Sequence, residues 1–273
     1  MADVVKLEYR SNERGYIAII TFDNPKKLNA LNIDHYFQLA KYMREIALRD
    51  DVYVTVLTGK GKYFSAGADV STPPIQRDGD DQYTAGLRTF VPANLALTEA
   101  FYSHPKILVV AFNGPAIGLS AAITGWADFI YATPHTFLLT PFSSLGLVSE
   151  GGASIGFVQR MGIAKANEAL IMSKRLTCEE LVQCGYINKV FNTLPGEQEK
   201  FLGLVLQEVQ DRLGPHLVPE SLTKIKALIR KPQREALDAQ GVAEAFGALD
   251  VWMKGVPQEQ FRRIASGEKR HKL

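Results

Sequence analysis

"ILVVAFNGPAIGLSAA", residues 107–122, runs from an unbroken apolar stretch through Asn-Gly-Pro into glycine and very small side chains. The apolar run predicts a buried strand, and the small residues after the turn predict a helix start. Glycine and alanine let a ligand come close to the backbone, and the first N–H groups of a helix have no internal acceptor. "VYVTVLTGKGKYFSAGAD", residues 52–69, repeats the plan: buried strand, glycine, tiny side chains. One such loop merely turns the chain. Two in one domain suggest paired N–H donors converging on a developing negative charge, an oxyanion hole.

Outward from these loops, "VVKLEYR" (4–10) and "YIAIITF" (16–22) read as a hairpin across "SNERG". "IDHYFQLAKYMREIALRD" (33–50) predicts a helix with Phe37, Ala40, Met43, Ile46 and Ala47 on one face. "STPPIQRDGDDQYTAG" (71–86) is polar and rich in breakers, the composition of a mobile insert. "ADFIYAT" (127–133) and "TFLLT" (136–140) predict two more strands. From about residue 152 the pattern becomes helical, broken once by the strand-like "YINKVF" (186–191). Helices are expected over 197–213, 219–230, 233–254 and 257–266. Strands alternating with helices imply an α/β fold, divided into a core over 1–196 and a helical region over 197–273.

The 273 residues are 46% hydrophobic and 22% charged, with 31 basic and 29 acidic side chains giving a net charge of +2. That balance excludes a strong field for nucleic acid or an anionic membrane. Cys178 and Cys184 lie on different faces of a helix-like segment, so they predict buried thiols rather than a disulfide. The five histidines show no metal-ligand spacing, and neither a metal nor an organic cofactor is expected. "MADVVKLEYR" lacks the apolar core of a secretion signal, and no stretch is long and apolar enough to span a bilayer. The end, "EKRHKL" (268–273), resembles the S-K-L class of peroxisomal address, implying a peroxisome and its import receptor.

One acid stands out. "PFSSLGLVSEGGAS" (141–154) carries Glu150 in an otherwise uncharged stretch, where an ionised carboxylate is costly unless paired or used.

Together "NPKKLNAL", "FSAGAD", "NGPAIGLSAA" and "PFSSLGLVSEGGAS" resemble the crotonase (enoyl-CoA hydratase/isomerase) superfamily over about residues 5–195. The resemblance implies a spiral of ββα turns followed by helices that usually trimerise, with trimers sometimes pairing. It implies an acyl-CoA thioester whose carbonyl oxygen sits between the N–H groups of Ala68 and Leu119. It also implies a substrate surface formed by Lys26, Leu28, Ala30, Ala66, Gly67, Asp69 and Val70, with Lys26 or Lys27 at the CoA phosphates. At the two positions where hydratases carry glutamates this chain has Ala122 and Phe142. Standard hydration and standard dienoyl-CoA isomerisation are therefore both disfavoured. A lone Glu150 resembles the Δ3,Δ2-enoyl-CoA isomerases, in which one glutamate is the base, and that reaction is the leading expectation.

Other readings compete. Glu150 could cap the helix beginning near Gly152. Asp69 could be a turn residue bonded to local N–H groups. Ser120 and His135 resemble part of the machinery of Clp-type peptidases, which share the spiral. Phe261, Arg262 and Arg263 could cover the CoA of this or a neighbouring subunit. A silent acyl-CoA-binding module would keep the fold without needing Glu150.

Overall fold

The computed structural model describes residues 4–13, 15–69 and 78–269. Val70 and the final tripeptide 271–273 lie outside the described residues, as does most of the first half of the 71–86 insert.

The predicted hairpin forms. β1 (Val5–Asn12) pairs antiparallel with β2 (Gly15–Phe22), from Val5 opposite Phe22 to Asn12 opposite Gly15. A capping box at Asn32 and His35 starts α1 (Ile33–Ala47). This helix buries Tyr36, Leu39, Ala40, Met43 and Ile46, and Phe37 is 60% exposed. The expected face is thus rotated by one residue at its start: Tyr36, not Phe37, is in phase with Ala40 and Met43.

β3 (Val52–Gly59) returns parallel to β2. The second half of the polar insert contains α2 (Gln82–Arg88), capped by Asp81, so that part is not an irregular loop. α3 (Phe90–Tyr102) follows, a helix the sequence reading had not assigned. β4 (Ile107–Phe112), β5 (Ala116–Ile117), α4 (Leu119–Ala122), β6 (Phe129–Ala132) and β7 (Phe137–Leu139) complete the central region. α5 (Ala153–Leu170), broken at Gly162, leads to β8 (Leu176–Thr177), α6 (Cys178–Gln183) and β9 (Lys189–Val190). The chain ends in α7 (Gln198–Leu213), α8 (Pro219–Arg230), α9 (Arg234–Met253) and α10 (Val256–Ala265).

One sheet has the order β1-β2-β3-β4-β6-β9, parallel after the first hairpin; a second has the order β5-β7-β8. The uninterrupted apolar character of β4 has a direct cause: both faces of the large sheet are covered. Leu108, Val110 and Phe112 join the core that includes Tyr36, Leu39 and Phe101 of α1 and α3, while Ile107, Val109 and Ala111 meet Phe201, Val205 and Val209 of α7. Cys178 is buried and Cys184 half-buried, and both are free thiols. Among the described residues no helix is long and apolar enough to cross a membrane.

Candidate active site

The two glycine-rich loops come together. Leu31 bridges in parallel to Ala68 and Ser65 bridges in parallel to Ala116, while Ile117 N donates to Ser65 O at 2.9 Å. Gly67 has φ +85, and a Cβ there would lie 2.8 Å from Ile117 O; one on Gly118 (φ +63) would lie 3.7 Å from the Cα of Gly67. At Gly67 only glycine permits both the positive φ and this close approach; at Gly118 the positive φ alone favours it. The residues after these glycines are Ala68 and Leu119, so their N–H groups sit at matching places on adjacent segments. Neither N–H donates to another group among the described residues. Leu119 is the first residue of α4, where a helix provides no acceptor.

The loops are braced from beneath by polar groups the sequence reading passed over. Asn29 is fully buried at φ +57 and donates through Nδ2 to Lys60 O (2.9 Å) and Tyr63 O (2.7 Å). Asn113 donates to Gly61 O (2.9 Å) and Tyr63 O (3.0 Å), and its Oδ1 accepts from Gly59 N at 3.0 Å. Their signal was local: asparagine in a turn-rich stretch, a residue that tolerates left-handed backbone and bonds nearby main chain. Ser65 Oγ donates to Asn29 O (2.8 Å), accepts from Gly67 N (3.1 Å) and bonds Ser120 Oγ (2.9 Å), which in turn bonds Tyr36 OH at 2.9 Å. Ser120 is therefore a structural hydroxyl linking both loops. His135 bonds Thr133 Oγ1 and Asn113 O instead, so no Ser–His pair forms and the peptidase reading loses its geometry.

A cavity of about 930 Å³ opens onto these donors. Ala66, Gly67, Ala68, Asp69, Leu119 and Glu150 all line it. Phe142, standing at one hydratase acid position, is part of its apolar wall; Ala122, at the other, is fully buried. Phe261 also lines the cavity, whereas Arg262 pairs with Glu259 and Glu268 on the surface. Leu28 adjoins the cavity floor through Ala66 N donating to its carbonyl at 2.9 Å. Lys26 is exposed beside it, in the turn Pro25–Lys27, and Ala30 is half-buried. Asp69 is not a self-contained turn residue: its Oδ2 accepts from Lys27 Nζ at 2.8 Å. Asn94, absent from the sequence-based list, lines the cavity with its Nδ2 buried and, among the described residues, without a hydrogen-bond partner.

Glu150 is 6% exposed, and among the described residues no side-chain hydrogen bond reaches its carboxylate. Burial, aided by the like charge of Glu244, pushes its carboxyl up to about 8. It does not cap α5; Gly152 is the N-cap and makes no side-chain bond. Gly151 and Gly152 both have positive φ, and a Cβ on Gly152 would lie 2.6 Å from the Trp126 ring. Trp126 Nε1 donates to Gly151 O at 2.8 Å, so this tryptophan holds the glutamate's loop as well as filling space. Among the described residues no group of histidines, cysteines and acids could hold a metal ion.

Two N–H groups that donate to no other group among the described residues, on loops that line a largely apolar cavity together with a buried carboxylate of raised basicity, suit chemistry through an enolate, in which charge moves onto a carbonyl oxygen. Residues 12–212 match the enoyl-CoA hydratase/isomerase family, and the chain belongs to it. The fold agrees: an enoyl-CoA hydratase/isomerase from Pseudoalteromonas atlantica superposes with a TM-score of 0.81 at 24% identity, covering 98% of this chain and 99% of that one.

Within the family the chain is 55% identical to a Δ(3,5)-Δ(2,4)-dienoyl-CoA isomerase of Pyricularia oryzae, over 100% of both chains. It is 32% identical to the 3,2-trans-enoyl-CoA isomerase of Saccharomyces cerevisiae, covering 97% of this chain and 99% of that one.

Proposed function

We propose that the protein is a dienoyl-CoA isomerase that converts 3,5-dienoyl-CoA to 2,4-dienoyl-CoA with Glu150 as its base. The observation that carries this reading is the buried carboxylate of Glu150 sharing a cavity with Ala68 and Leu119, whose N–H groups donate to no other group among the described residues. The full-length identity of 55% to a relative named for this reaction favours it over Δ3,Δ2 transposition.

The sequence reading set dienoyl isomerisation aside because Ala122 and Phe142 replace two acids. That argument holds against hydration, which must orient and activate a water, and does not hold against an isomerisation that consumes none. Both isomerisations begin alike. Glu150 takes a proton from C2, the electron pair moves through the conjugated system to the thioester oxygen, and the N–H groups of Ala68 and Leu119 stabilise the resulting anion. They differ in where the proton returns: C4 in the monoene, C6 in the diene. The two oxygens of one carboxylate can serve both ends of the five-carbon unit as the carboxyl turns. A carboxyl poised near neutrality can both accept and return the proton.

Lys26 and Lys27 at the rim are suited to CoA phosphates. Trimer formation is supported by the apolar outer side of α8, where Ile225, Leu228 and Ile229 are 56–69% exposed. The peroxisomal destination rests on the terminal tripeptide alone.

The test is turnover of 3,5-dienoyl-CoA, 3-enoyl-CoA and 2-enoyl-CoA side by side on the purified protein. The diene is expected to react with the highest kcat/KM, and hydration of 2-enoyl-CoA to be slower by at least roughly 100-fold. A higher kcat/KM on 3-enoyl-CoA would return the assignment to Δ3,Δ2 isomerisation, and comparable hydration would overturn both.

A further inference from the structure

α5 begins with glycine at its N-cap, so its first N–H groups need an acceptor from elsewhere. The acceptor comes from α9. Glu244 Oε2 accepts from Gly152 N at 2.7 Å, and its Oε1 accepts from Ser154 N at 3.1 Å and Ser154 Oγ at 2.5 Å. One turn earlier on α9, Gln240 Nε2 donates to Ser154 Oγ at 2.8 Å, leaving that hydroxyl's proton for Glu244. Glu244 is only 5% exposed, and no lysine or arginine pairs with it among the described residues. A side-chain acceptor at position 152 would cap α5 locally, but the positive φ of Gly152 and the Trp126 ring leave no room for a Cβ there. Here the cap is instead a buried carboxylate from the C-terminal region, placed two residues beyond the catalytic glutamate.

We propose that Glu244 is a positioning residue for catalysis: it ties the loop carrying Glu150 to α9 and sets the electrostatic field in which Glu150 exchanges its proton. The inference rests on Glu150 being the base. Its geometric half follows from the three hydrogen bonds, which fix the main chain of Gly152 and Ser154 just after Glu150. Its electrostatic half follows from a like charge close to Glu150 in a poorly solvated site, which disfavours ionisation of Glu150. Other groups near Glu150 do not supply this effect. Tyr36 of α1 is neutral, its hydroxyl bonded to Ser120 and raised by burial. Asp69, across the cavity, is paired with Lys27. From α10 the polar neighbour is Gln258, which does not titrate. The N-terminus of α5 would favour the anion of Glu150, and Glu244 already occupies that positive end.

The experiment is a pH titration of the Glu150 carboxyl by NMR of the full chain carrying ¹³C-labelled glutamate, with the resonance assigned by Glu150→Gln. Glu244→Gln keeps the shape and removes the charge. The Glu150 midpoint is expected to fall by about one pH unit, with the acid limb of kcat/KM moving with it. Replacing one of the two acceptor oxygens by an NH2 group leaves a main-chain N–H of the loop without its acceptor and should lower kcat on the order of tenfold with little change in KM. Glu244→Asp keeps the charge but draws it back, and its midpoint should lie between the other two. Should the glutamine variant fail to fold, the aspartate variant carries the same test. An unchanged midpoint and kcat in whichever variant folds would overturn the proposal. Because the titration reads Glu150 without substrate, that outcome is distinct from failure of Glu150 as base, which would appear as activity retained by Glu150→Gln.

Discussion

Glu150→Gln is expected to lower isomerase kcat by roughly 100- to 10,000-fold, the range that loss of a positioned acid–base group costs. Glutamine keeps the length and shape of the side chain and cannot accept the C2 proton. Acyl-CoA binding should survive, because the N–H groups of Ala68 and Leu119 and the apolar wall are untouched. The same substitution should stabilise the protein. The Glu150 carboxyl is raised from 4.5 to about 8 by burial, with Glu244 adding to the shift. Between those values the folded protein holds a proton that the unfolded chain has released, so stability falls as pH rises through that window. The glutamine variant has no such dependence. Its advantage should be near zero at pH 4 and grow to on the order of 5 kcal/mol by pH 9. Denaturant unfolding at the two pH values checks this. An equal effect at both would mean that Glu150 ionises freely in the folded state.

Leu119→Pro is the second large effect. Position 119 opens α4, where proline fits the helix and removes only an N–H that has no internal acceptor. On the proposed mechanism its missing donor is half of the anion site. Deleting one such donor costs on the order of 100- to 1,000-fold in kcat. The cavity also loses the leucine side chain, so Leu119→Ala is the proper control, expected to retain most of kcat. Steady-state kinetics of the pair, with circular dichroism to verify folding, makes the comparison. Equal kcat in the two variants would remove Leu119 N–H from the mechanism.

The parts of this site carried by local chemistry were legible in the sequence. Buried strands running into Gly67 and Gly118 predict two close-approach loops, which come together, and the isolated Glu150 is buried in the wall of the cavity they share. Parts that depend on distant partners were not. No local pattern says that Glu244 caps α5, that Trp126 bonds Gly151 O, or that Asn29 and Asn113 both reach Tyr63 O. The start of α1 was misphased because aromatic residues at 36 and 37 compete for one face; register with Ala40 and Met43 favours Tyr36. Breakers at 71–80 hid the short α2, whose cap at Asp81 was the available signal. The choice between two isomerisations lies beyond the motifs, since on the proposed mechanism both use the same base and the same N–H pair.

The most direct test of a single-carboxylate mechanism is the fate of hydrogen in one turnover. With C2-deuterated 3,5-dienoyl-CoA in ordinary water, part of the label should appear at C6 of the 2,4-dienoyl product, because a proton held on Glu150 in a water-poor cavity returns before it fully exchanges. Mass spectrometry or NMR of the product reads the position. Complete washout of deuterium, with isomerisation intact, would contradict a secluded Glu150 serving both ends of the diene.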